Sequence, residues 1–349
     1  ELKQEAMQNG ITPVSINVVE DDQRQQIQAF MGVLIQADDQ KEVIPLVQPG
    51  SGLEYEITTS IKKITLKQKP KIGIIQSSNG ASIGAIPQLV QQLSVMYEIV
   101  PFHLSDSFEI APNYSCIVWI SPNDTIPSID FEKVNKYLNT GGNLFLAYSS
   151  ILGNLQTAEI STKPDIGLKA WLQSKGISMG DQVVIDASCA SVTVQQQQGF
   201  FTMNSQIEFP YFPQIRKFKK HPITAGLESM MLPFSSPLSI IGSDTTLAIK
   251  AVLQTSEMSG TQNTPNYMNV QKKWVEQDFT APNQILALSF ENSGTNNGRM
   301  VVVSNGQFIN NGEGQQAQQL NVDNINFAAN AIDWLSDDTG LISLRTKGI

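Results

Sequence analysis

Two cysteines and two histidines are all that 349 residues offer to thiol, imidazole or metal chemistry. Zinc sites draw on three or four ligands at short spacings, and neither His103 nor His221 has a second His, Cys or paired carboxylate within such reach. No metal and no cofactor is therefore expected. No G-x-S-x-G turn or equivalent cysteine elbow occurs, so the nucleophile, base and carboxylate of an acyl-transfer enzyme cannot be picked out. Cys116 falls inside the apolar run Ser115-Cys116-Ile117-Val118-Trp119-Ile120, where a small buried thiol is inert. Cys189 lies in a Ser/Ala-rich stretch, and two thiols leave both their pairing and the redox compartment open.

Positive charge is also scarce, with 23 Lys and Arg against 32 Asp and Glu and a net charge of -9. A polyanion would meet an unfavourable field, so nucleic acid is not an expected partner. Apolar runs stay short of the roughly 18 to 20 residues of a membrane-spanning helix, and the first residues show no signal-peptide pattern. The sequence opens on Glu1 in what already reads as helix, which gives the expectation of a piece cut from a longer, anchored protein.

What is present is a globular composition, 41% hydrophobic and 16% charged, long enough for two domains. The first, expected over 1–66, reads as a polar helix ending at Asn9-Gly10, a strand near Val14 to Val19, and a hairpin of Met31 to Ile35 with Val43 to Val47 turned at Asp38-Asp39-Gln40. A helix follows to about Thr65, with Ser51 as N-cap and Glu54 completing a capping box. Its apolar face is Leu53, Ile57, Ile61 and Ile64. That order resembles the C-terminal half of a thioredoxin-like fold.

From 67 to 349 strands and helices alternate, the pattern of a parallel sheet with helices on its faces. Strands are expected at Ile72 to Ile75, Glu98 to Phe102, Cys116 to Ile120, Asn143 to Ala147 and Met300 to Val303. Helices are expected from Pro87, from a Ser128 cap to Gly141-Gly142, over Leu168 to Lys175 and over Val322 to Ser336. The stretch of about 188–243, with Gln195 to Gln198, many aromatics and several prolines, reads as an insertion with little regular structure.

Several segments resemble one family, the gliding-motility-type auxiliary proteins of bacterial ABC transporters, called GldG-like. The likeness is carried by Phe30-Met31-Gly32 with Glu42-Val43-Ile44-Pro45, by Leu53-Glu54-Tyr55-Glu56-Ile57-Thr58, by Lys71-Ile72-Gly73-Ile74 and by His221-Pro222-Ile223-Thr224. It continues through Val303-Ser304-Asn305-Gly306-Gln307-Phe308, Asn326-Phe327 and Ala331-Ile332-Asp333-Trp334-Leu335. The resemblance implies a periplasmic domain of an inner-membrane protein, with membrane anchors outside this sequence and an ATPase and a permease as partners. It also implies a sheet like that of the class I glutamine amidotransferases, without their chemistry. Where many such proteins carry a Gly-His-Gly-Glu-like turn, this sequence has Ser78-Asn79-Gly80.

The functional expectation is thus a non-catalytic auxiliary component that makes protein contacts, with a cryptic amidotransferase-like or hydrolase-like enzyme as the alternative. The loop Asn79 to Gly84 lacks the Walker lysine and the G-x-G-x-x-G spacing, so a plain turn is preferred to a phosphate cradle. Two surfaces are singled out. Ser78, Asn79, Asn123, Tyr148, Ser149, Asn305 and Gln307 would gather at the carboxyl ends of the strands, a neutral rim suited to a small polyol or glycan. Phe209, Tyr211, Phe212, Lys217, Lys219 and Lys220 mix aromatic and basic groups as partner surfaces do, the plainer reading being aromatics packed on the sheet and lysines in water.

Overall fold

The computed structural model describes residues 2–20, 23–47, 53–65, 68–76, 80–198, 201–241, 247–292 and 298–337. The chain divides into two compact units, of which the second spans Pro70–Ser336.

In the first unit α1 (Leu2–Gln8) leads to β1 (Pro13–Glu20) and β2 (Gln23–Phe30), paired antiparallel along their whole length. Strands β3 (Val33–Ala37) and β4 (Gln40–Ile44) form the second antiparallel pair. Asp38 turns that hairpin in the left-handed region, φ 50°, which an aspartate tolerates. Strand β2 escapes the sequence reading because Gln23, Gln25, Gln26 and Gln28 hide any apolar alternation. Helix α2 (Leu53–Thr65) forms where expected, with Leu53, Ile57 and Ile64 half-buried. Ile61, expected on that face, is 43% exposed. The Ser51 cap lies outside the described residues.

The second unit is built on a parallel core. Strand β5 (Lys71–Ile75) is followed by α3 (Pro87–Leu93) and β6 (Glu98–Phe102), then by β7 (Tyr114–Ile120), α4 (Ser128–Asn139) and β8 (Leu144–Ala147). Strands β5, β7 and β8 are largely apolar because both faces of the sheet are covered there, whereas the edge strand β6 is half-exposed. Helix α4 turns Val134 and Leu138 inward and stops at Gly141, which takes φ 95°. Its first residue is Ser128, whose side chain makes no cap; Pro127 holds the N-cap position.

Beyond β8 the chain forms β9 (Ile151–Asn154), β10 (Glu159–Thr162), α5 (Leu168–Ser174), β11 (Ile177–Met179) and β12 (Val183–Asp186). The stretch expected to be irregular is instead a long antiparallel ribbon, β13 (Cys189–Gln198) with β14 (Phe201–Ile215), followed by β15 (Met230–Met231) and β16 (Leu238–Ile240). Its glutamines pair with Phe201 to Asn204 across the ribbon. Burial alternates along the ribbon, with Val192, Val194, Ser205 and Ile207 half-buried between exposed neighbours, but too few of these positions are apolar for the hydrophobic pattern to mark it. The remaining elements are β17 (Leu247–Gln254), β18 (Ser259–Gln262), β19 (Asn266–Tyr267), β20 (Ile285–Asn292), β21 (Met300–Val303) and α6 (Val322–Ser336).

The large sheet runs in the order β11-β16-β20-β21-β8-β7-β5-β6, with β17 also paired to β20. From β6 to β21 it is parallel, and from β21 through β20 to β11 antiparallel. One core cluster gathers Trp119, Val134, Leu146, Trp171 and Val302 between the sheet, α4 and α5. A separate one gathers Ile151, Ile160, Val183, Ile185, Phe209 and Tyr211. Helix α6 is buried nearly all round, including Ile325, Ala328, Ile332 and Leu335. Among the described residues no helix is long and apolar enough to cross a membrane.

Candidate functional site

Ligands of parallel sheets bind outside the carboxyl ends of the strands, where the strand order reverses. Here β5 lies between β6 and β7, so the reversal falls between Gln76 and Ser121. Ser121 leaves β7 in the left-handed region at φ 47°, a costly conformation for a residue with a Cβ. Its N–H donates to the Ala147 carbonyl at 2.8 Å. Its side chain is 2% exposed, and Oγ has no hydrogen-bond partner. Gly306, in the loop after β21, closes over it: a Cβ at 306 would lie 2.0 Å from Ser121 Oγ and 3.1 Å from the Ala147 carbonyl oxygen. A hydroxyl at a strained strand tip is where a serine nucleophile would sit, but this one is sealed and touches no base. With Ile120 before it and Pro122 after it, Ser121 carries no glycine signature, and sequence reasoning misses it.

The expected rim is mostly turned inward. Tyr148 is 1% exposed, with the Lys163 ammonium 5.3 Å from its ring centroid. Burial pushes its phenol up to about 12. Ser149 Oγ donates to the Phe234 carbonyl at 3.0 Å and pairs with Ser236 Oγ at 3.2 Å. Asn305 Nδ2 donates to the Pro233 carbonyl and, at 3.1 Å, to Ser235 Oγ. Asn305 Oδ1 accepts from the N–H groups of Gln307 and Phe308, each at 2.8 Å. The segment Pro233–Ser236 therefore lies over the ends of β8 and β21. Tyr148, Ser149 and Asn305 bind the fold together there and present no open rim, which corrects the sequence expectation for those three. Asn123 and Gln307 stay exposed, Asn123 accepting from Lys163 Nζ at 3.4 Å. Ser78 and Asn79 lie outside the described residues.

The aromatic and basic segment separates in the same way. Phe209 and Tyr211 are each 3% exposed, and their rings meet edge-on at 5.2 Å. Phe212 is half-buried against Phe209 and Phe234, at 5.0 and 5.2 Å. Phe209 and Tyr211, two residues apart on one face of β14, are core, and Phe212 packs half-buried against them, a correction of their expected role at a surface. Lys217, Lys219 and Lys220 are exposed. None of them enters a salt bridge among the described residues.

Neither thiol is poised for chemistry. Both are free, and burial pushes the Cys116 thiol far up and that of Cys189 to about 11, so the thiolate that would react is scarce. His221 accepts the Ile223 N–H at Nδ1, 3.2 Å away, and caps a short turn. Burial, helped by Lys250, pulls its imidazole below the ordinary range, with Glu291 opposing. The backbone N–H of His103 donates to the Asp106 carboxylate at 2.8 Å. Among the described residues no group of three or more His, Cys, Asp or Glu could hold a metal ion.

Comparison with known proteins locates this arrangement. The chain is 21% identical over 269 residues to an uncharacterized protein of Borreliella burgdorferi, covering 75% of this chain and 52% of that protein. It thus spans about half the length of the relative it matches. Among solved structures, the mmIFT52 N-terminal domain is similar with a TM-score of 0.48 and 13% identity, over 77% of this chain and 98% of that one. A ThuA-like protein from Parabacteroides merdae is similar with a TM-score of 0.40 and 10% identity, over 78% and 91%. The family model described as ABC-type uncharacterized transport system matches residues 69–336, nearly all of the second unit and with it the strand ends, the ribbon and α6. The chain belongs to that family, as an auxiliary component of an ABC-type transport system.

Proposed function

We propose that the chain is a non-catalytic, periplasmic part of a gliding-motility-type transport system, held to the inner membrane by anchors outside residues 1–349. It works in one assembly with the permease and the ATPase, with the exposed lysines 217, 219 and 220 on the surface that contacts its partners. In this reading the first unit is a thioredoxin-like half and the second an amidotransferase-like sheet that has lost its chemistry.

The observation that carries the reading is the state of Ser121. A nucleophile needs an adjacent base and a path for its substrate, and the Ser121 hydroxyl has neither, being buried beneath Gly306 without a hydrogen-bond partner. The buried thiol of Cys116 and the capping imidazole of His221 supply no substitute.

The rival reading is a cryptic amidotransferase-like or hydrolase-like enzyme, and the strained backbone at Ser121 is what favours it. Turnover of ester, amide, glycoside and nucleotide substrates by the purified chain separates the two. No rate above background is expected. A rate abolished by Ser121→Ala, with the fold intact by circular dichroism, would establish the enzyme instead.

A further inference from the structure

A cavity of about 590 Å³ opens between the end of β14 and the end of β17. That volume is within the range of small-molecule sites, roughly 300 to 1,000 Å³. One wall is the run Ile215, Arg216, Lys217, Phe218, Lys219; the facing wall is Val252 and Gln254 to Met258, with Ala187, Ser188 and Asn283 closing the ends. The cavity lies wholly within the second unit.

Its walls are fixed by one buried carboxylate. Asp186, at the end of β12 and fully buried, accepts the N–H of Ser188 at 2.9 Å and the N–H of Ser256 at 2.9 Å, and takes the Ser256 hydroxyl at 2.5 Å. Ser188 Oγ in turn donates to the Gln214 carbonyl at 2.7 Å. One carboxylate therefore ties Ser188 at one side of the cavity to Ser256 at the other.

The groups left facing the space are of two kinds. Arg216, Lys217 and Lys219 bring three positive charges against the single carboxylate of Glu257, in a chain whose net charge is -9. Arg216 spends one Nη on Gln214 Oε1 at 2.6 Å. Ile215, Phe218, Val252 and Met258 supply an apolar lining. Cations set at the mouth of an apolar cavity favour a ligand that has an anionic head and a hydrocarbon body.

We propose that this cavity binds a small amphiphilic anion, a carboxylate or phosphate with an apolar tail. The head sits at Lys217 and Lys219, and the tail lies against Val252, Phe218 and Met258. Nothing in the proposal depends on the transport assignment, because it rests on the cavity alone. It also gives Arg216, Lys217 and Lys219 a common counter-charge in an otherwise acidic protein.

The test is titration of the purified chain, followed by calorimetry, with octyl phosphate, octanoate and the uncharged octanol. Both anions should bind at one site about tenfold or more tighter than octanol, each tenfold corresponding to one good charge interaction. Lys217→Glu with Lys219→Glu should remove that preference, and Met258→Trp, which fills the apolar end, should weaken both anions with the charges untouched. Binding of octyl phosphate alone would support the proposal and narrow the head to phosphate. Octanol binding as well as the anions, or anion binding unchanged in both variants while circular dichroism shows them folded, would overturn it.

Discussion

His221 lies tilted against the indole of Trp334, ring centroids 5.4 Å apart, and on that same indole the Arg299 guanidinium sits 5.0 Å away. Two sequence segments 78 positions apart, at His221 and Arg299, thus meet on α6, and Arg299 ties the end of that helix by donating to the Leu335 carbonyl at 3.0 Å. The turn at His221 is docked by packing and hydrogen bonds, and its imidazole is neutral because burial and Lys250 disfavour the charged form.

That neutrality predicts a pH dependence of stability. The folded imidazole titrates below its ordinary value of 6.5, so the unfolded chain takes up the proton first as pH falls. Stability due to this residue is complete above about pH 6.5 and declines as pH drops from there toward the folded pKa. Urea midpoints across this range should show the decline. His221→Asn keeps an acceptor for the Ile223 N–H and removes the titration, and it should flatten the curve. An unchanged slope in that variant would assign the dependence elsewhere.

Asn330 makes the same junction from within α6, its Nδ2 donating to the carbonyl oxygens of Ile223 at 3.1 Å and Ala225 at 3.2 Å. Asn330→Ala should cost about 1 to 3 kcal/mol by leaving buried carbonyls unsatisfied. Asn330→Asp should cost more, since it sets an acceptor against acceptors. Equilibrium urea unfolding gives both values, and the order Asp worse than Ala is the discriminating result.

At the strand tips the close approach of Gly306 to Ser121 predicts a coupled pair. Gly306→Ala places a methyl 2.0 Å from Ser121 Oγ and should destabilise by about 1 to 3 kcal/mol. In a Ser121→Gly background, which suits φ 47° and removes the hydroxyl, the same change should cost less. A double-mutant cycle by urea unfolding measures the difference, and additivity would mean that the clash is relieved some other way.

The parallel core is legible in the sequence because its strands are apolar throughout: Ile72 to Ile75, Cys116 to Ile120 and Met300 to Val303 need no alternation to be seen. Gly141 and Pro87 mark helix ends for stereochemical reasons that hold in any context. The ribbon β13–β14 is illegible because Gln195 to Gln198 put a polar run into a strand, whatever their partners Asn204, Met203, Thr202 and Phe201 contribute. The candidate rim fails for a different reason. Ser149 and Asn305 are turn residues at strand ends, and composition cannot say that Pro233–Ser236 will lie over them. Ser121 is missed because strain is a property of the backbone, invisible without coordinates. Its neighbour in space, Gly306, is 185 positions away along the chain.

The lysines 217, 219 and 220 stand exposed just past the end of β14, without ion pairs among the described residues. The most direct measurement is purification of the intact, anchored protein from its native membrane in mild detergent, beside a variant with Lys217→Glu, Lys219→Glu and Lys220→Glu. An ABC ATPase and a permease should come through with the native protein in fixed proportion, and the folded variant should lose them. A native protein that emerges from the membrane without either subunit would mean that it is no part of such a transporter.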